Sequence, residues 1–171
     1  MSEPQQNGHC ITEPASSNGD ENNEEFVVEM QKHFDKLGQS NNFSRVAGKL
    51  RVVKATKNKL VVELLLLEEH VNSKGTLHGG QTAALVDIIT ARAVGLTVRD
   101  TPMVSMDISV SYMLPAKLGD VVVIEADCLK IGRNIAFTEA TFRRKSDNAL
   151  VAKGKHNISF LHHLKQKVNQ F

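Results

Sequence analysis

Residues 81–98 read Gln-Thr-Ala-Ala-Leu-Val-Asp-Ile-Ile-Thr-Ala-Arg-Ala-Val-Gly-Leu-Thr-Val. Wound as a helix, this stretch is apolar almost all round, so it belongs inside a protein rather than on its surface. The chain has 171 residues, which suits one domain and leaves little room for a second. Burying such a rod in so small a domain requires a sheet that curves around it.

The flanking segments supply the strands. Residues 47–56 and 59–67 are strand-like, with Lys57-Asn58 between them as a hairpin turn. The run Leu64 to Leu67 reads as strand covered on both faces. Residues 103–114 alternate, with Val104, Met106, Ile108 and Val110 on one face and Ser105, Asp107, Ser109 and Ser111 on the other. Strands are also predicted over 120–129, 135–144 and 149–160, separated by turns at Lys130 to Asn134 and Ser146 to Asn148. Ahead of them, Phe26, Val27, Met30, Phe34 and Leu37 fall at helical spacing, giving an amphipathic helix over 25–37 that stops at Gly38. The expected fold is α+β: an antiparallel six-stranded sheet, mostly meanders, around a long central helix. Such a sheet leaves an edge that another copy can pair with or cover.

Residues 1–24 are rich in Ser, Asn, Glu, Gln and Pro, and too poor in apolar side chains to offset ordering entropy; they are expected to be disordered. The domain is expected over 25–160. Residues 161–171, with His162 and His163, are expected to form a frayed tail. Two adjacent histidines without a third ligand point to no metal site. Seven of the 19 acidic residues lie in the first 31 positions, where there is no Lys or Arg, so the remainder carries 21 basic residues against 12 acidic. A basic body suits an anionic ligand or surface. With one Tyr, no Trp and no arginine-rich run, nucleic acid is the weaker choice. No run of apolar residues reaches the length of a transmembrane helix, and the acidic N-terminus has neither a secretory h-region nor the arginines of a transit peptide. Cys10 and Cys128 are far apart and no disulfide is expected. The default location is the cytoplasm, with mitochondrial association left open.

Two features disturb the apolar helix. Gly79 and Gly80 open it, each costing about 1 kcal/mol relative to alanine, and Asp87 stands in its middle. Each has a plain structural explanation, a tight turn for the glycines and a polar neighbour for the acid. Together they suggest chemistry. A helix N-terminus offers free N–H groups and partial positive charge, glycine lets a ligand approach that backbone, and a carboxylate among apolar groups tends to a raised pKa suited to a general base. Polarising donors plus a base are the parts needed for hydrolysis.

The stretch Asn72…Thr76-Leu77-His78-Gly79-Gly80…Asp87, with Val104-Ser105-Met106-Asp107 and Tyr112-Met113-Leu114-Pro115-Ala116, resembles the hotdog-fold acyl-coenzyme A thioesterases of the His-Gly-Gly type. The likeness spans roughly residues 25–160. It implies a hotdog fold, a dimer joined edge to edge, and usually a tetramer of two dimers, with no cofactor. By position, Asn72 and Gly79 match the groups that hold and polarise the thioester carbonyl, Asp87 the catalytic carboxylate and Ser105 a hydroxyl that positions water. Lys130, Gly132, Arg133 and Asn134 match a turn that contacts coenzyme A, and Tyr112 a nearby pocket residue. His78 and Gly80 belong to the same substrate loop, where His78 is either a base or a brace. Lys130 and Arg133 bind phosphates or face solvent; Asp107 and Tyr112 line the pocket or are ordinary strand residues. Cys128 alternates like a core residue rather than a nucleophile.

The spacing adds an inference of its own. Asp87 lies eight residues past Gly79, roughly 12 Å along one helix. A base and an oxyanion donor must both reach a centre about 3 Å away. Two antiparallel copies of the helix can supply both, which predicts a homodimer with shared sites. The expected function is hydrolysis of medium- to long-chain acyl-CoA to fatty acid and CoA. The alternatives are dehydration or hydration of acyl thioesters, and non-catalytic acyl-CoA binding. An Asp87 nucleophile forming an anhydride competes with Asp87 as general base.

Overall fold

The computed structural model describes residues 21–162. A helix α1 (Glu24–Gly38) is followed by a short 3₁₀ turn and a hairpin of β1 (Arg51–Ala55) and β2 (Lys59–Leu65). The chain then crosses through helix α2 (Gly79–Gly95) to β3 (Met103–Tyr112), and finishes as a meander of β4 (Val121–Ile131), β5 (Ile135–Arg144) and β6 (Leu150–Phe160). All six strands form one antiparallel sheet in the order β1-β2-β4-β5-β6-β3. The α+β fold expected from the apolar rod is the one found.

The sheet's inner face and α2 make the core. Leu60, Val62, Leu64, Val122, Ile124, Ala126, Ala140 and Phe142 are buried against Leu85, Val86 and Ile89 of the helix. Gly154 of β6 permits the closest approach: a Cβ there would stand 2.4 Å from Val86 Cγ2. α1 begins at an Asn23 cap whose side chain accepts from Phe26 N–H, and Asn22 Oδ1 accepts from Ala55 N–H of edge strand β1.

Three expectations need correction. The segment 47–56 is not all strand: Phe43–Ala47 form a 3₁₀ turn, and pairing starts at Arg51. Gly48 packs so tightly on Gly38 that a Cβ would lie 2.1 Å from the Gly38 Cα, which folds this stretch back on α1. The leucine run is not covered on both faces. Leu64 and Leu66 are buried while Leu65 and Leu67 are exposed, because in the protomer no element covers the outer side of the sheet there. Finally, β3 does not keep the alternation read from its sequence. The pairs Ser105↔Ile158 and Asp107↔Asn157 leave Met106 as an extra, unpaired residue, a β-bulge. Directly paired residues share a face, and Ile158 and His156 are buried against α2. Ser105, paired with Ile158, therefore faces the helix together with Ile108, which pairs with His156.

Candidate active site

α2 begins at Gly79, as the glycine pair suggests, and His78 caps it. The His78 Nδ1 accepts from Gly80 N–H at 2.9 Å, so both glycines lie in the first turn. Gly79 N–H donates to no partner among the described residues, as expected for a first-turn amide. The other side of Gly79 faces β3: Tyr112 OH donates to Gly79 O at 2.9 Å, and a Cβ on Gly79 would rest in ordinary contact with the tyrosine ring. A cavity of about 220 Å³ opens here, lined by Leu77, Gly79, Thr82, Tyr112 and Leu114 among others.

Eight residues along, the bulge in β3 brings Ser105 to the helix acid: Ser105 Oγ–H donates to Asp87 Oδ1 at 2.7 Å. Asp87 is half-exposed, its side chain open over 44% of its surface, so it is less enclosed than the apolar run implies. Behind it stands His156, fully buried on β6, with Nε2 3.5 Å from Asp87 Oδ1 and Nδ1 2.7 Å from Thr90 Oγ1. The Thr90 hydroxyl also lies 2.7 Å from Val86 O, so it ties the imidazole to the helix backbone, and Nε2 faces the carboxylate. Burial, opposed by Asp87 and Asp107, draws the His156 pKa below its ordinary value and keeps the ring neutral. Among the described residues Nε2 has no hydrogen-bond partner of its own.

The other residues singled out in the sequence lie apart from this pair. Asn72 is engaged in its own loop, with Oδ1 accepting from Lys74 N–H at 2.9 Å and Nδ2 donating to Thr76 Oγ1 at 3.0 Å. Lys130 and Arg133 are exposed, in a turn closed by Gly132 N–H to Ile135 O and held to the chain end by Asn134 O accepting from Phe160 N–H. That turn lies at the end of the sheet where α2 finishes: Ile131 packs in the cluster containing Val94, Val98 and Met103. Gly79 lies at the opposite end. One protomer thus pairs Asp87 with Ser105, and Gly79 with Tyr112, but brings neither Gly79 nor the basic turn to the acid. Asp107 faces away, its carboxylate accepting from Asn157 Nδ2. His162 donates to Arg133 O, and His163 and Cys10 lie outside the described residues. Among the described residues no group of three His, Cys, Asp or Glu side chains is placed to hold a metal, and no helix is long and apolar enough to cross a membrane.

His156 is the residue that sequence reasoning missed. Its signal was present: Ala152, Gly154, His156, Ile158 and Phe160 alternate as the covered face of β6, and a titratable group on that face has to meet a polar partner.

A sheet wrapped on one helix, with a lone acid in the helix and a glycine pair at its start, defines a thioesterase of the hotdog fold, and the chain belongs to the thioesterase superfamily. The model of that family matches residues 74–151. A putative esterase of Caenorhabditis elegans is 54% identical over 152 residues, 89% of this chain and 86% of that protein. Human acyl-coenzyme A thioesterase 13 is 46% identical over 120 residues, 70% of this chain and 86% of that protein. The crystal structure of zebrafish thioesterase superfamily member 2 superposes with a TM-score of 0.75 at 38% identity, over 78% of this chain and 96% of that one.

Proposed function

We propose that this protein is an acyl-CoA thioesterase, hydrolysing fatty acyl-CoA of medium to long chain to the free acid and CoA. The observation that carries the reading is the Asp87 carboxylate, fixed by Ser105 on one oxygen and half-open to solvent, on the helix whose first N–H is unpaired. Water held at Asp87 loses a proton to the carboxylate as its oxygen attacks the thioester carbon. The charge that develops on the carbonyl oxygen is met by Gly79 N–H, aided by the helix dipole. The C–S bond then breaks and the thiolate recovers the proton. Asn72 orients the carbonyl or the water with the Nδ2 hydrogen its loop leaves free. His156, neutral and held by Thr90, stands behind the carboxylate with Nε2 3.5 Å from Asp87 Oδ1.

Gly79 and Asp87 meet in this scheme only across two protomers. β3 supports that arrangement: it is an unpaired edge of ten residues, carrying exposed Val104, Met106 and Ile108, and such an edge invites a second copy. Gly79 and Asn72 then come from one protomer and Asp87 and Ser105 from its partner. Lys130 and Arg133, at the end of the sheet remote from their own Gly79, are the cations offered to the CoA phosphates. A pair of such dimers makes the tetramer.

The test is incubation of purified protein with acyl-CoAs of graded length and a thiol reagent. Steady release of thiol is the expected result. A change in acyl absorbance without thiol release marks a dehydratase, and saturable binding without turnover marks a carrier; either outcome removes the hydrolase reading.

A further inference from the structure

The face of α2 that carries Asp87 continues one and two turns on through Ala91 and Gly95, and these line a second, larger cavity of about 740 Å³. Met30, Val98, Pro102 and Met103 give it apolar walls. Two cations also line it, Arg99 and Arg92, and of these Arg92 is half-buried and without a hydrogen bond or ion pair among the described residues. The charges around it do not serve it. Glu29 at the rim is ion-paired to Arg99. Asp87, five residues back, accepts from Ser105. His33 on α1 has its pKa lowered by burial and by Arg92 itself, so it stays neutral beside the guanidinium. Asp100 is exposed at the mouth. Burial draws the Arg92 pKa down against the pull of Asp87, yet a guanidinium keeps its charge in proteins. A half-buried cation without a direct ion pair gains from a ligand that supplies one.

We propose that this cavity receives the far end of the acyl chain and that Arg92 there binds a carboxylate, so that ω-carboxyacyl thioesters, half-esters of dicarboxylic acids, are substrates of the Asp87 site. The proposal rests on the thioesterase reading. Its geometry is that of a single protomer: Gly95 lies roughly 12 Å beyond Asp87 along the same helix face, with Ala91 between them lining the cavity. With Arg99 engaged by Glu29, Arg92 is the guanidinium of this cavity left to take a carboxylate, with its planar fork matched to two oxygens. The phosphates of CoA carry more charge and meet better-placed cations in Lys130 and Arg133, which stand exposed on the β4–β5 turn.

The experiment compares decanoyl-CoA with its ω-carboxy counterpart in the full-length wild type, Arg92→Met and Arg92→Lys. Losing a charged hydrogen bond should cut the ratio of kcat/KM values, ω-carboxy over plain, by about tenfold or more in Arg92→Met, chiefly through KM. Arg92→Lys should recover part of it, and carries the test alone if Arg92→Met does not fold. An unchanged ratio overturns the proposal. Repeating the comparison with the pantetheine thioesters distinguishes the two sources of anion. If Arg92→Met weakens both CoA esters alike and neither pantetheine ester, the cation serves the coenzyme phosphates and the proposal fails. If the wild type cleaves neither ester, the thioesterase reading fails by itself. Binding of thioether analogues with and without the terminal carboxylate then decides the cavity: tighter binding of the carboxylate form, lost in Arg92→Met, upholds it, and equal binding overturns it.

Discussion

At the scale of single residues, Asp87 and Ser105 form a graded series. Replacing Asp87 by Asn keeps the shape and removes the base, so kcat should fall by about 10²–10⁴-fold, the contribution of general base catalysis. Ser105→Ala removes one charge-assisted hydrogen bond and leaves the base, so the loss should be about 10–100-fold. Thiol release from one acyl-CoA measures both. Equal losses in the two variants would place Ser105 in the chemistry itself rather than beside it. The same assay should be free of interference from Cys128. Burial first, and Asp127 second, push its thiol up to about 12, and it is the thiolate that reacts. In a Cys10→Ser background the native protein should therefore show no reactive thiol until denaturant is added.

At the scale of elements, the bulge in β3 and the glycine in β6 decide whether those residues meet. The alternation of residues 103–112 places Ser105 with Asp107 on a polar face, and only the extra Met106 turns it towards Asp87. Deleting Met106 removes only the extra residue and leaves Ser105 and Asp107 opposite Ile158 and Asn157, so Ser105 should stay turned towards Asp87 and most of the activity should survive, with the circular dichroism spectrum retained; a loss as large as that of Ser105→Ala would show that the bulge itself sets the Ser105 geometry. In β6, Gly154→Ala drives a Cβ into Val86 and should destabilise the fold by about 1–3 kcal/mol; adding Val86→Ala should return part of that in a denaturant titration. These two places also show what the sequence could and could not express. The rod, its lone acid and all six strand positions, the start of β1 excepted, follow from periodicity, because one repeating pattern carries each. A bulge is one residue without a pattern, so the side to which Ser105 turns was hidden, and only likeness to a family singled that residue out. His156 and Arg92 are illegible in the sequence for a related reason: each lies in an element whose average is apolar, and its meaning rests on what stands opposite it across the fold.

At the scale of the whole molecule, acid and assembly each make a prediction. His33, His70 and His156 all have pKa values lowered chiefly by burial. Below their ordinary value of 6.5 the unfolded chain takes up protons that the native state resists, so the stability these groups confer is full above that pH and is lost as pH falls beneath it. The paired carboxylates Glu63 and Glu69, whose pKa values are lowered from 4.5, add their loss only in stronger acid, which leaves the window between to the histidines. Tm should therefore drop between about pH 7 and about pH 5, before the carboxylates titrate, and a flat Tm across that window would remove the three rings from the stability balance. Assembly bears on the mechanism more directly. If Asn72 of one protomer serves Asp87 of the other, two inactive variants can complement. In a heterodimer of Asn72→Ala with Asp87→Asn, one site collects both lesions and the second collects neither. Random exchange makes half the dimers mixed, so a two-fold symmetric dimer should recover about a quarter of wild-type activity. Sites complete within one protomer would instead show only the average of the two inactive parents, however thoroughly the subunits exchange, and exchange itself can be followed by tagging one variant. Recovery near a quarter would also account for why β3 leaves Val104, Met106 and Ile108 uncovered: the strand that aims Ser105 at Asp87 would be the strand that brings the partner's Gly79 within reach of both.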